Sequence, residues 1–275
     1  MNTKRLIVIS IIALLAFGCN QKDSNYYIKQ GNSFYNNKEY ESATRNYTLA
    51  IDIDKNNITA YYKRADTYRR MFKYDLALID YTSVIKFNSK VPNNAYTKRG
   101  ATYFALGEFD KAILDLRIAI KESPQDVEPY YELAKVYYEQ DKIDSAFQNL
   151  NIVLQLDSLY NLAYLLRGQI FMYKQQYQLA INDYDIAIKL QPNNNSFIHF
   201  LRGGCYVLLS NGELALQDYN EAIKLKPDKG ILYLARAGVY KTFFNDTEKA
   251  IIDLKKAAAL GNEEAIEELK KYKND

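Results

Sequence analysis

Two small side chains recur along this chain at a nearly constant interval. The first falls at Gly31, Ala65, Gly100, Ala134, Gly168, Gly203 and Ala237, with gaps of 34 or 35 residues. An alanine follows each by twelve or thirteen residues, at Ala43, Ala77, Ala112, Ala146, Ala180, Ala215 and Ala250. Self-similarity at such a period restricts the chain to repeat architectures, in which each unit buries its apolar face only against its neighbours.

Each unit reads as two helices. An aromatic ring or His stands four residues before the first small residue, at Tyr27, Tyr61, Tyr96, Tyr130, Tyr164, His199 and Tyr233. Another aromatic follows it by three, at Phe34, Tyr68, Tyr103, Tyr137, Phe171, Tyr206 and Tyr240. Spacings of three and four put these on one helical face. A short turn such as Leu106-Gly107-Glu108 then leads to a second helix, as in Ala180, Tyr184 and Ala187. Pro124, Pro192 and Pro227 mark breaks before the next unit, because proline cannot continue a helix interior.

This pattern resembles the tetratricopeptide repeat over nearly the whole chain. The third unit supplies its small and large columns as Tyr96, Gly100, Tyr103, Ala112, Leu116, Ala119 and Pro124. Departures are local: Ser158 where a proline would stand, Gly212 where an aromatic opens a second helix, and one extra residue near 245–247. The resemblance implies an all-α, right-handed superhelical solenoid of seven helix pairs over residues 24–261. Residues 262–275 are then expected to form a polar capping helix after Gly261, since end repeats need a solvated outer face.

Five units carry an arginine directly before the small residue: Arg64, Arg99, Arg167, Arg202 and Arg236. The same five carry Asp80, Asp115, Asp183, Asp218 and Asp253 on the second helix. The other two have Gln30 and Leu133 in place of arginine, and Asn46 and Asn149 in place of the acid. Joint appearance and joint loss predict a structural Arg–Asp pair between helices, within one repeat or between neighbours. A guanidinium donates two parallel bonds to a carboxylate, which makes its burial tolerable.

In the family the first helices line a concave groove that takes peptides or partner helices. The matching groove positions here are polar and tyrosine-bearing early, with Tyr62, Tyr131 and Tyr138. They turn apolar later, with Leu162, Leu165, Met172, Phe197, Phe200, Val207 and Leu234. A hydrophobic peptide or helix docking there is one expectation, and coverage of the same side chains by the last helix is the other. The family's clamp for chaperone tails does not carry over: its first repeat would want Lys and Asn and has Ile28 and Asn32, and its later basic positions hold Asn94 and Lys98, only half a match.

The start of the chain reads separately. Lys4 and Arg5 precede the apolar run at 6–17, then Gly18 and Cys19. That run is too short to span a bilayer and follows the secretory pattern. The stretch LLAFGCNQ resembles a bacterial lipobox. It implies removal of 1–18, a lipid on Cys19, a tether at 19–23 and attachment to the cell envelope, with Asn20 leaning toward the outer membrane.

Chemistry is sparse. The single histidine, His199, occupies an aromatic core position, so no triad is available. There is no CxxC, HExxH, calcium loop or glycine-rich phosphate cradle, and the Gly203-Gly204 pair lies inside a helix. With 36 Lys and Arg against 33 Asp and Glu and no long single-sign run, the charge offers no nucleic-acid footprint. The expected function is a non-enzymatic, lipid-anchored protein-interaction scaffold without metal, cofactor or small-molecule substrate. A permanent structural subunit of an outer-membrane assembly or secretion complex is the alternative.

Overall fold

The structure is a computed structural model and describes residues 23–87, 94–191 and 195–272. Residues 1–18, Cys19 and Pro192 lie outside them. Fifteen α-helices and no strand occur among the described residues. They belong to two compact units, Met1–Glu132 and Leu133–Asp275.

The first unit holds α1 (Ser24–Asn36), α2 (Tyr40–Ile53), α3 (Ile58–Arg70), α4 (Tyr74–Phe87), α5 (Ala95–Ala105) and α6 (Phe109–Glu122). Helix α7 (Val127–Glu139) contains the boundary. The second unit holds α8 (Ile143–Leu156), α9 (Asn161–Tyr173), α10 (Tyr177–Leu190), α11 (Ser196–Leu208) and α12 (Gly212–Leu225). It continues with α13 (Gly230–Phe244), α14 (Thr247–Ala259) and α15 (Glu263–Lys271). Within each unit every helix packs on the next in sequence, and α1 also meets α3, as α3 meets α5.

The small columns set this packing. Ala43, Ala77, Ala112, Ala146, Ala180 and Ala215 are fully buried. A Cβ added at Gly168 would lie 2.5 Å from Cε1 of Tyr184, so that ring fills the space the glycine leaves. Gly212 has its own reason, because a Cβ there would fall 2.6 Å from Cβ of Phe243.

Each turn inside a pair uses one left-handed residue: Lys38, Phe72, Gly107, Asp141, Gln175, Ser210 and Asn245, with φ between 50 and 75°. Only the glycine adopts this without a Cβ penalty. Side chains cap several helix starts. Asp23, Asn57, Asn211, Asp246 and Asn262 each accept from a backbone N–H two or three residues into the following helix.

Candidate functional site

The repeated arginine is held by three helices. Nε and Nη2 of Arg64 donate to the two carboxylate oxygens of Asp80, both at 2.8 Å. Arg99 does the same with Asp115 at 2.7 and 2.8 Å, and Arg167 with Asp183 at 2.8 Å twice. Arg202 meets Asp218 at 2.8 and 2.6 Å, and Arg236 meets Asp253 at 2.7 and 2.8 Å. All five pairs lie within one repeat. The remaining Nη1 reaches back to the preceding repeat's second helix: Thr48, Thr82, Asn151, Asp185 and Asn220 accept from the five arginines in turn.

The flanking aromatics complete the enclosure. The Arg64 guanidinium lies 5.6 Å from the Tyr61 ring centre and 5.9 Å from that of Tyr68. Arg99, Arg167 and Arg236 sit between equivalent rings. Such contacts favour a desolvated cation. The hydrogen bonds that Arg99 donates to Asp115 raise its pKa above the ordinary value, against the opposing effect of burial. The acids are nearly enclosed, as with Asp115 at 2% exposure. The cluster is therefore a neutralised strut and offers no open charge for catalysis.

Repeat six differs. Its third acceptor is the charged Asp185, and its aromatic position holds His199. Nδ1 of His199 lies 2.8 Å from Oδ1 of Asp218. Burial pushes the Asp218 carboxyl up, but hydrogen bonds from Arg202 and His199 together outweigh it and hold its pKa below the ordinary value. The sequence reading places His199 as a core ring; the structure adds a polar bond that only contact geometry reveals.

Tyrosine in the first aromatic column also has a polar task. The hydroxyls of Tyr130, Tyr164 and Tyr233 donate to the carbonyls of Pro124, Ser158 and Pro227 at 3.2–3.3 Å. The acceptor is a carbonyl, so Ser158 serves as well as proline.

On the first unit's first-helix face, Tyr62 is half-buried and donates to Oδ1 of Asn94 at 2.9 Å. Burial and then the Asp66 charge raise its pKa. Tyr131 is half-buried, its pKa pushed up to about 12 by burial and Glu132. A polar cavity of about 330 Å³ opens beside Asn32, Tyr35, Lys63 and Asp66.

In the second unit Tyr138 is half-buried. Leu165, Met172 and Phe200 pack against the cluster of Tyr184, Leu201 and Cys205. Phe200 and Val207 also pack against Tyr219 and Val239. Leu162, Phe197 and Ile231 project outward, at 42, 54 and 46% exposure. Helix α15 does not reach all of this face. Its Leu269 and the Tyr272 that follows the helix join the cluster around Tyr233, with Leu234 at the edge. Lys241 pairs with Glu268 at 2.8 Å and lies over Tyr272. A cavity of about 480 Å³ remains beside Ile231, Leu234, Gly238, Glu264 and Glu268.

Other polar groups are already engaged. Asn57 Nδ2 donates to Ser24 Oγ at 2.8 Å, and Asn46 Nδ2 to the Ser42 carbonyl at 2.9 Å. Cys205 is a buried free thiol whose pKa burial pushes up to about 11, so it is no nucleophile. No cluster of three or more metal-ligating side chains occurs among the described residues.

Paired helices whose small columns interlock, repeated around a common strut, define an α-α repeat solenoid. Family models agree. The model described as TPR repeat matches residues 31–71 and 100–141, and two models described as tetratricopeptide repeat match 165–229 and 58–90. The chain belongs to the tetratricopeptide-repeat family, whose members are generally protein-interaction scaffolds.

It is similar to a tetratricopeptide repeat protein from Parabacteroides merdae, with a TM-score of 0.65, 23% identity, and coverage of 92% of this chain and 99% of that one. It is also similar to a chain of the APC/C hetero-tetramer Cut9-Hcn1, with a TM-score of 0.70, 15% identity, and coverage of 84% and 45%. A curated relative, the DnaJ homolog subfamily C member 7 homolog of Schizosaccharomyces pombe, is 28% identical over 181 residues. That match takes in 59% of this chain and spans only 38% of the relative's length.

Proposed function

We propose that this chain is a non-enzymatic scaffold held at the cell envelope by a lipid on Cys19. It binds a peptide or helix of a partner protein in a groove formed by the first helices of its repeats. The observation that carries the reading is the outward row of Leu162, Phe197 and Ile231, the last of which lines a cavity of about 480 Å³. Repeats without a partner would keep such side chains polar, as the first unit does with Thr59 and Asn94 at corresponding places.

The anchor rests on the sequence. A basic start, a short apolar run and a cysteine after Gly18 are what a lipidated envelope protein carries. Several acyl chains on one residue meet the requirement for stable attachment. A photo-crosslinker at Phe200 in cells, read by mass spectrometry, tests the groove: a discrete partner supports it, and adducts only within the chain contradict it. Membrane fractionation of Cys19→Ser tests the anchor, which predicts release of the variant from the membrane.

A further inference from the structure

In two early repeats a tyrosine of the second helix is answered from the first. Tyr47 donates to Oδ1 of Asn32 at 2.8 Å, and Tyr81 to Oδ1 of Asp66 at 2.5 Å. Each acceptor directly follows the small residue of its repeat. In repeat six that place is Gly204, and Tyr219 stands in the tyrosine column.

Tyr219 is only 5% exposed, yet its hydroxyl has no hydrogen-bond partner among the described residues. Tyr184 in the repeat before also lacks one, but its hydroxyl is sealed from solvent, whereas that of Tyr219 is not. A Cβ built on Gly204 would lie 3.9 Å from the Tyr219 oxygen, with nothing else within 4 Å. The hydroxyl therefore lies under the side chain that Gly204 lacks. Burial and the neighbouring Asp218 charge push its pKa up to about 12, so it remains a donor at neutral pH.

Gly238 takes the equivalent place in repeat seven, and a Cβ there would meet nothing within 4 Å. Glycine is among the poorest residues inside a helix, and packing explains neither of these two. Both would admit a close-lying backbone. Phe200 and Ala235 pack on one cluster with Tyr219, and Ala235 also lines the cavity at Gly238. The two open places are thus parts of one surface within the second unit.

We propose that Gly204, Gly238 and Tyr219 recognise the main chain of an extended apolar segment of a partner protein. The segment lies across the two glycines, and one of its carbonyls accepts from the Tyr219 hydroxyl. An apolar side chain enters the cavity beside Ile231 and Leu234. This rests on the groove reading above and names what the groove takes.

The test selects phage-displayed random octapeptides against the full chain and measures the winners with blocked termini. Tyr219→Phe and Gly204→Asn are each expected to weaken binding about tenfold, the size of one hydrogen bond. Gly204→Asn supplies the acceptor that Asn32 supplies to Tyr47, so its melting temperature is expected to rise by about 3 °C as binding falls. Ile231→Glu, at an exposed position, controls for the groove and should abolish binding. Loss in Ile231→Glu with unchanged binding in the other two overturns the inference and leaves the groove standing. No selected peptide, or winners indifferent to Ile231→Glu, overturns both. Winners matching residues 6–17, or self-association abolished by Gly204→Asn, would make the chain its own occupant and overturn the partner assignment.

Discussion

Arg236 and Asp253 stand seventeen residues apart, yet they form the same two parallel bonds, at 2.7 and 2.8 Å, as four pairs that stand sixteen apart. The extra residue is taken up at the end of the first helix: α13 has 15 residues and leaves only Asn245, with a left-handed φ of 50°, and the capping Asp246 before the next helix. The pairing geometry is kept and the far end of the first helix gives way, as expected if the pair is specified by the faces it joins.

Removing one partner is therefore expected to cost far more than removing both. Arg99→Leu leaves Asp115 enclosed without its cation and should lower stability by about 3–5 kcal/mol, while Arg99→Leu with Asp115→Leu should recover most of that. A urea-melt double-mutant cycle measures the coupling, and purely additive effects would remove the pair from the account of the fold.

Acid should expose the bond from His199. Asp218 has a folded pKa below its unfolded value, so its contribution is full above about pH 4, the unfolded carboxyl range, and is lost as pH falls through the lower folded value. His199→Phe leaves Arg202 alone to oppose burial. It is expected to cost about 1 kcal/mol at neutral pH, shrinking below pH 4. Denaturant melts at pH 7 and pH 3 check this, and an equal cost at both would contradict it.

Glycines in the first helices should divide into two kinds. Gly168→Ala forces a Cβ to 2.5 Å from the Tyr184 ring and should destabilise by about 1–3 kcal/mol. Gly238→Ala meets nothing and should stabilise by about 1 kcal/mol. Thermal melts of the two variants read opposite signs.

At the turns, Gly107→Ala places a Cβ at φ 75° and should cost about 1 kcal/mol. Phe72 adopts φ 58° at 77% exposure, so Phe72→Gly should move the other way. Chevron analysis is the direct measurement.

Cys205 should serve as a reporter. Its buried, high-pKa thiol is expected to resist alkylation in the native chain and to react at the rate of unfolding, measured in a Cys19→Ser background. Rapid native labelling would show that α11 opens locally.

The sequence made the all-helical class legible because helix pairs need small residues where they cross, and Gly100 or Ala180 can be counted without coordinates. The acid for each arginine was traceable because Gln30 and Leu133 occur with Asn46 and Asn149. The third helix in each strut was not. Thr48, Thr82, Asn151, Asp185 and Asn220 span three residue types joined only by a capacity to accept, and a column so varied has no visible pattern. Gly204 was equally opaque. Written beside Gly203 it is one of two helix glycines, and only the space around each Cα separates the one Tyr219 requires from the one it leaves open.

The backward reach of each arginine gives the molecule a direction under load. Each of the five Nη1 donors takes hold of the repeat before it, and none of these five arginines reaches forward among the described residues. Pulling away the last repeat removes Arg236 and leaves behind Asn220, an amide that water satisfies readily. Stripping the preceding helix from beneath Arg236 instead leaves a half-enclosed guanidinium N–H with no acceptor, and water restores that bond poorly. Peeled in an optical trap, the second unit should come apart at lower force from its α15 end than toward it, like roof tiles lifted against or along their overlap.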